Sequence, residues 1–74
     1  MSRAAWRERN PLRIWRVERR MSQGDVALRL GVSRQSVANW EEGVCDPTLH
    51  LKNLELMMKA KHILQKWRRW RAVR

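Results

Sequence analysis

Neither phenylalanine nor tyrosine occurs among the 74 residues, and proline, glycine and cysteine number only two, three and one. So few turn-forming residues favour helices joined by short loops over a sheet of many strands. The single Cys45 excludes an internal disulfide, and its spacing from His50 and His62 matches no zinc site, so we expect neither a metal nor a cofactor. No apolar run reaches the length of a membrane span or a signal-peptide core, which predicts a cytoplasmic protein without membrane contact.

Basic residues are abundant and unevenly placed. The formal net charge is +10. Residues 1–20 hold seven basic and two acidic side chains, residues 21–58 hold three and five, and residues 59–74 hold seven and none. The two ends of the chain would therefore create a positive electrostatic field that attracts polyanions. Basic ends also keep small proteins soluble. No nucleophile–base pair or carboxylate dyad is visible, which argues against an enzyme and against a small-molecule substrate.

Polar capping residues predict where four short helices begin. The predicted N-caps are Asn10, Ser22, Ser33 and Thr48. Pro11 strengthens the first of them, because proline at the first helical position gives up no needed donor. Gly31 and Gly43 end the second and third helices, so the third is expected over residues 34–42.

The chain divides into a central unit and two basic flanks. Residues 1–10 lack clear periodicity and are expected to form a basic N-terminal arm, residues 11–58 a helical domain, and residues 59–74 a basic, tryptophan-rich C-terminal helix or tail. Apolar side chains recur in the tail at helical spacing: Ala60, Ile63, Leu64, Trp67 and Trp70. This stripe points about half a turn away from the apolar face of the preceding helix. Either the chain bends near residues 59–61, or the stripe faces a second partner.

Residues 23–42 meet the physical demands of a helix-turn-helix that reads DNA. Ala27 is small where the two helices cross, Gly31 allows the turn, and Val32 fills its corner. Apolar side chains occupy the shared face of the two helices: Val26, Leu30, Val37 and Trp40. The open face of the second helix carries side chains that can hydrogen-bond to base edges: Arg34, Gln35, Ser36 and Asn39.

The run SQGDVALRLGVSRQSVANWEEG resembles the phage-repressor and Cro-like helix-turn-helix family of XRE-type regulators. The matching positions are Ser22, Gln23, Val26, Ala27, Gly31, Val32, Ser33, Val37, Trp40, Glu41 and Gly43. The resemblance covers about two thirds of the chain, from Pro11 to Met58. It implies an all-α, lambda-repressor-like bundle of four to five helices, which binds two-fold-related sites on double-stranded DNA as a homodimer.

The resemblance also implies roles for individual residues. Contacts to base edges are expected from Arg34, Gln35, Ser36 and Asn39. Contacts to phosphates are expected from Gln23, Arg13 and Lys52, and Arg16 is expected to form a structural ion pair with Glu41. Glu42 and Asp46 depart from the family, which often places basic or amide residues after the recognition helix. We therefore expect some phosphate contacts to come from the basic flanks instead.

Three classes of function are compatible with these features. The expected one is a sequence-specific transcriptional regulator, a repressor, with residues 34–42 in the major groove. A second is a protein-interaction or assembly module that uses the tail, and a third is non-specific nucleic-acid or RNA binding.

The tail stripe carries a separate expectation about oligomeric state. Exposed apolar surface costs about 25 cal/mol per Å². A two-fold partner would cover it. We therefore expect a dimer or partner surface at Ile63, Leu64, Trp67 and Trp70. Folding back onto the first helix, against Ile14 and Val17, is the alternative.

Overall fold

The computed structural model describes residues 2–73, which form six α-helices and no strand. In chain order they are α1 (Arg3–Glu8), α2 (Pro11–Glu18), α3 (Gln23–Leu30), α4 (Arg34–Glu41), α5 (Thr48–Met58) and α6 (Ile63–Ala72). The all-α prediction is confirmed, with one helix more than the four to five expected. Within the described range, no helix is long and apolar enough to cross a membrane.

The additional helix lies in the segment that was expected to be a basic arm. Ser2 caps α1, because its hydroxyl accepts a hydrogen bond from the Ala5 N–H at 3.1 Å. Trp6 is buried in the core. The segment is therefore ordered by long-range packing of an indole ring, which a search for helical periodicity does not detect.

A bend between α5 and α6 returns the C-terminal helix to the core. Lys59 and His62 both adopt left-handed backbone conformations, with φ of 55° and 56°. The bend is the first of the two alternatives that the sequence left open. It buries the whole tail stripe, whose members are each at most 7% exposed: Ala60, Ile63, Leu64, Trp67 and Trp70.

The burial of this stripe corrects the expectation about the tail. Ile63, Leu64, Trp67 and Trp70 do not form the dimer or partner surface that we expected, because the protein's own helices cover them. α6 packs against α2 and α5. The tail therefore folds back onto α2, the alternative that the sequence offered. Of the two α2 residues expected to receive it, Ile14 borders a groove with Ile63 of α6, and Ile14 and Val17 remain 42% and 48% exposed.

Two tryptophans join the first helix to the last. The rings of Trp6 and Trp70 stack with centroids 4.0 Å apart and planes 12° apart. Each indole N–H donates to the backbone carbonyl of the other residue, over 3.1 Å from Trp6 and 2.6 Å from Trp70. We call this contact the tryptophan clasp. It satisfies both buried indole donors while holding the two ends of the described chain together.

Gly43 lies directly beneath the tryptophan clasp. Its φ of +73° is a conformation that side chains resist. A Cβ at this position would also lie 2.7 Å from Cη2 of Trp6 and 3.2 Å from Cη2 of Trp70. Gly31 has a similar φ of +68°, but a Cβ there would meet nothing within 4 Å.

The two glycines allow backbone strain to be separated from packing. Gly31→Ala should lower the free energy of unfolding by about 1–2 kcal/mol, the cost of a left-handed conformation. Gly43→Ala should lose that amount and about 1–3 kcal/mol more, because the added methyl group overpacks the clasp. Urea unfolding followed by tryptophan fluorescence measures both. Equal losses of unfolding free energy in the two variants would show that the tryptophan clasp accommodates the added methyl group at no energetic cost.

Candidate nucleic-acid interface

The helix-turn-helix is built from local hydrogen bonds that the sequence predicted. The Ser22 hydroxyl accepts a hydrogen bond from the Asp25 N–H at 3.0 Å, and the Asp25 carboxylate accepts one from the Ser22 N–H at 2.9 Å. The hydrogen bonds with Ser22 hold the pKa of Asp25 below its ordinary value, and the bond to the Ser22 backbone contributes most. Gly31 then ends α3 in the left-handed conformation, and Ser33 caps α4. The point where α3 ends and the point where α4 begins are thus set within the motif itself.

The side chains expected to contact bases lie together on α4. We call Arg34, Gln35, Ser36 and Asn39 the reading face. Arg34 and Gln35 are exposed, whereas Ser36 and Asn39 are half-buried. The Gln35 amide donates to the Asn39 side-chain oxygen over 3.0 Å, and the Ser36 hydroxyl lies 3.0 Å from that of Ser33. Part of the reading face is therefore ordered before any ligand binds.

Two of the three residues expected to contact phosphates line one concave surface beside α4. Arg13 of α2 and Gln23 at the start of α3 border a hollow of about 270 Å³, together with Ala38 of α4 and Arg7 of α1. Lys52 is exposed on α5 and does not line this hollow. The structure therefore brings Arg13 and Gln23 together beside α4 and leaves Lys52 apart from them.

The predicted ion pair between Arg16 and Glu41 is present beneath this surface. The Glu41 carboxylate accepts hydrogen bonds from Arg16 Nε at 2.5 Å and Arg16 Nη2 at 3.0 Å, and a third from the Gln23 amide at 3.2 Å. A further guanidinium N–H donates to the Met21 carbonyl at 3.1 Å. The pair therefore ties α2, the start of α3 and the end of α4 to each other, with both charges largely removed from solvent.

Side chains from two other helices hold the C-terminal end of α4. The buried Asn10 amide donates to the carbonyls of Trp40 and Glu41 over 3.1 and 3.2 Å, and the Trp67 indole donates to the Trp40 carbonyl over 3.0 Å. The Asn10 oxygen also accepts the Leu12 N–H at 2.8 Å, which is the predicted cap of α2. The sequence predicted the cap but not the contacts to α4. No local sequence pattern links Asn10 or Trp67 to the Trp40 carbonyl, which is 30 and 27 residues away from them.

The two acidic residues that depart from the family are matched by cations of the flanking helices. Glu42 pairs with Arg7 at 2.8 Å and lies 3.8 Å from Arg3. Asp46 accepts hydrogen bonds from the side chain and backbone of Thr48, and these bonds lower its pKa, with a smaller contribution from nearby Arg68. The expectation that Thr48 caps α5 is wrong, because Thr48 is the first helical residue and Pro47 occupies the cap position without a side-chain hydrogen bond.

Removal of one member of the buried ion pair should cost more than removal of both. In Arg16→Ala the Glu41 carboxylate stays largely buried with Gln23 as its remaining side-chain donor, so the free energy of unfolding should fall by about 3 kcal/mol. Arg16→Met combined with Glu41→Leu should recover most of this loss, since no buried charge is left unpaired. Urea denaturation measures both variants. If the double variant is as unstable as Arg16→Ala, packing rather than charge explains the loss.

Comparisons with known proteins agree with the helix-turn-helix motif. The helix-turn-helix family model matches residues 12–60, about two thirds of the chain. An uncharacterized HTH-type transcriptional regulator of Methanocaldococcus jannaschii is 42% identical over 43 residues, which are 58% of this chain and 65% of that protein. The chain therefore spans just under two thirds of that relative, and no solved structure shows a significant match. The chain belongs to the helix-turn-helix family, as its motif residues predicted.

Proposed function

We propose that this protein is a cytoplasmic, non-enzymatic regulator of transcription that binds double-stranded DNA with α4 in the major groove. The supporting observation is the asymmetry of α4. Val37 and Trp40 are buried, the end of the helix is held by α2 and α6, and the opposite side presents the polar reading face. A helix held in this way can enter a groove about 12 Å wide without rearranging its own core.

The hydrogen bond between Gln35 and Asn39 supports a preference for particular bases. Because Gln35 donates to Asn39, the pair can still offer the Gln35 oxygen as an acceptor and the Asn39 amide as a donor. Adenine shows the complementary pattern in the major groove, with the N6 amine as a donor and N7 as an acceptor. Arg34 is suited to bidentate binding of guanine. Ser36, half-buried and next to Ser33, would contribute a hydroxyl at the edge of the face.

Affinity without sequence preference would come from phosphate contacts. Arg13 and Gln23 border the hollow next to α4, where the backbone of a duplex would pass. Lys52, exposed on α5, remains a proposed phosphate contact at the other end of the motif. Repression rather than activation is the mode we propose, by resemblance to the phage-repressor family.

We also propose that two copies of the protein pair as a homodimer. Because the tail stripe is buried, the pairing must use another surface. α5 exposes Leu49, Leu56 and Met57, each more than half accessible to solvent. Leu49 and Leu56 are seven residues apart and therefore lie on the same face of the helix. Residues 21–58 carry more acidic than basic side chains, so repulsion between copies is weaker here than at the flanks.

Sequence selectivity can be tested on the duplex that the protein enriches from a random pool. Gln35→Ala and Arg34→Ala should each cost about 1–3 kcal/mol in binding and relax the preference at one base position. Arg29→Ala removes the same charge from an exposed position outside the reading face and serves as a control. Fluorescence anisotropy compares the enriched duplex with a scrambled one. Equal losses on both duplexes would contradict base reading by α4.

A further inference from the structure

α6 carries a strongly basic outer surface that the reading of bases does not use. Residues 59–74 contain no acidic residue. The apolar side of α6 is buried, whereas Lys66 and Arg69 are exposed one turn apart on the helix, and Lys61 is exposed just before it begins. These side chains therefore project away from the core.

Several of these cations lie on the side of α2 that is remote from the reading face. Lys61 and Lys66 border a groove between α2 and α6, whose α2 members include Pro11, Ile14 and Glu18. A helix turns about 100° per residue, so these positions lie about half a turn from Arg13 and Arg16. Those two arginines border the hollow next to α4. A duplex held by α4 and Arg13 would thus lie on the other side of α2.

The basic surface continues from α6 onto the N-terminal helix segment. Arg9 and Arg69 border the same shallow hollow over the tryptophan clasp. We call Arg9, Lys61, Lys66 and Arg69 the α6 ridge. Among the described residues, no carboxylate lies within 4.0 Å of any of their charged groups; the ion pairs found use Arg3, Arg7 and Arg16 instead. The ridge is therefore a row of cations without ion-pair partners.

We propose that the α6 ridge binds the phosphate backbone of a second DNA duplex, so that a single copy of the protein bridges two duplexes. This inference rests on the proposed function, since α4 holds the first duplex. Glu18 borders the same groove as Lys61 and Lys66 but forms no ion pair with either of them. Four cations without ion-pair partners match the charge of a phosphate backbone, and their contacts would carry no base preference.

The burial of the tryptophans favours duplex DNA over other anionic partners. Trp67 and Trp70 are 3% and 7% exposed, so they offer no platform on which single-stranded bases could stack and no ring for a membrane surface. Lysine is depleted in protein–protein interfaces, whereas backbone contacts to DNA are made by lysine and arginine. An acidic protein remains the outcome that the test must distinguish.

A capture experiment tests the bridge directly. The enriched duplex is immobilised, loaded with protein, washed, and offered a fluorescent duplex of unrelated sequence at roughly 50 mM salt. Wild type should retain the fluorescent duplex. Lys66→Gln combined with Arg69→Gln should retain about tenfold less or lower still, because two phosphate contacts are lost. The same variant should bind the immobilised duplex with unchanged base preference.

A matched control separates the ridge from total charge. Arg20→Gln combined with Arg29→Gln removes two exposed cations elsewhere and should retain the fluorescent duplex as wild type does. Equal capture by the ridge and control variants would overturn the proposal. So would failure of wild type to capture the second duplex while it binds polyglutamate, which would indicate an acidic protein partner.

Sedimentation of the same variants addresses bridging by paired copies. If loss of capture in the ridge variant coincides with a change from dimer to monomer, the ridge contacts a second copy and the proposal is wrong. Failure of the proposed function would look different. In that case the immobilised duplex would show no sequence preference with wild type, whatever happens to the fluorescent one.

Discussion

The last carbonyl groups of α4 are the point on which the arrangement of the other helices depends. A helix leaves its final carbonyls without intrahelical donors, and such groups are costly when buried. Here the Trp40 carbonyl accepts from Asn10 and Trp67, and the Glu41 carbonyl accepts from Asn10. The same turn holds the Glu41 carboxylate against Arg16 and Gln23. Contacts from α2, α3 and α6 therefore meet within two residues of the recognition helix.

This junction explains why the two flanks are structured. α6 can donate to Trp40 only because the bend at residues 59–62 brings Trp67 back over the core. The tryptophan clasp then fastens α1 to α6 above Gly43, the glycine that follows α4. A 74-residue chain has little core to spare, and five buried or nearly buried indoles supply much of it. The basic flanks thus stabilise the domain and also give its surface a positive charge.

The parts of the fold that depend on neighbouring residues were predictable from sequence. The capping box at Ser22, the turn at Gly31 and the reading face of α4 each follow from short-range rules, as did the ion pair once the family resemblance was seen. The helical spacing of the apolar positions also showed that one straight helix could not bury both the α5 face and the tail stripe against the same core. Apart from the ion pair, whose partners are 25 residues apart, these features share a physical cause, since local hydrogen bonds and helical spacing determine them.

The rest depended on contacts between residues distant in the chain. Lys59 and His62 adopt left-handed conformations, which are uncommon for residues other than glycine. No glycine in the sequence therefore indicated the bend. Trp6 stands alone in a basic segment, and only its partner Trp70 gives it a place in the core. A stripe of apolar residues shows that a surface must be covered, but it does not show what covers it. For this reason the prediction of a dimer surface at the tail stripe is wrong, since α2 and α5 cover it.

The central claim is that the contact from α6 to the end of α4 positions the reading face. Trp67→Phe removes the donor to Trp40, whereas Trp70→Phe removes an equivalent indole donor on α6 that contacts Trp6 instead. The measurement is the ratio of dissociation constants for scrambled and enriched duplexes. The account predicts that Trp67→Phe lowers this ratio about fivefold, equivalent to about 1 kcal/mol, and that Trp70→Phe leaves it unchanged. A ratio unaffected by Trp67→Phe, or lowered equally by both substitutions, would contradict it.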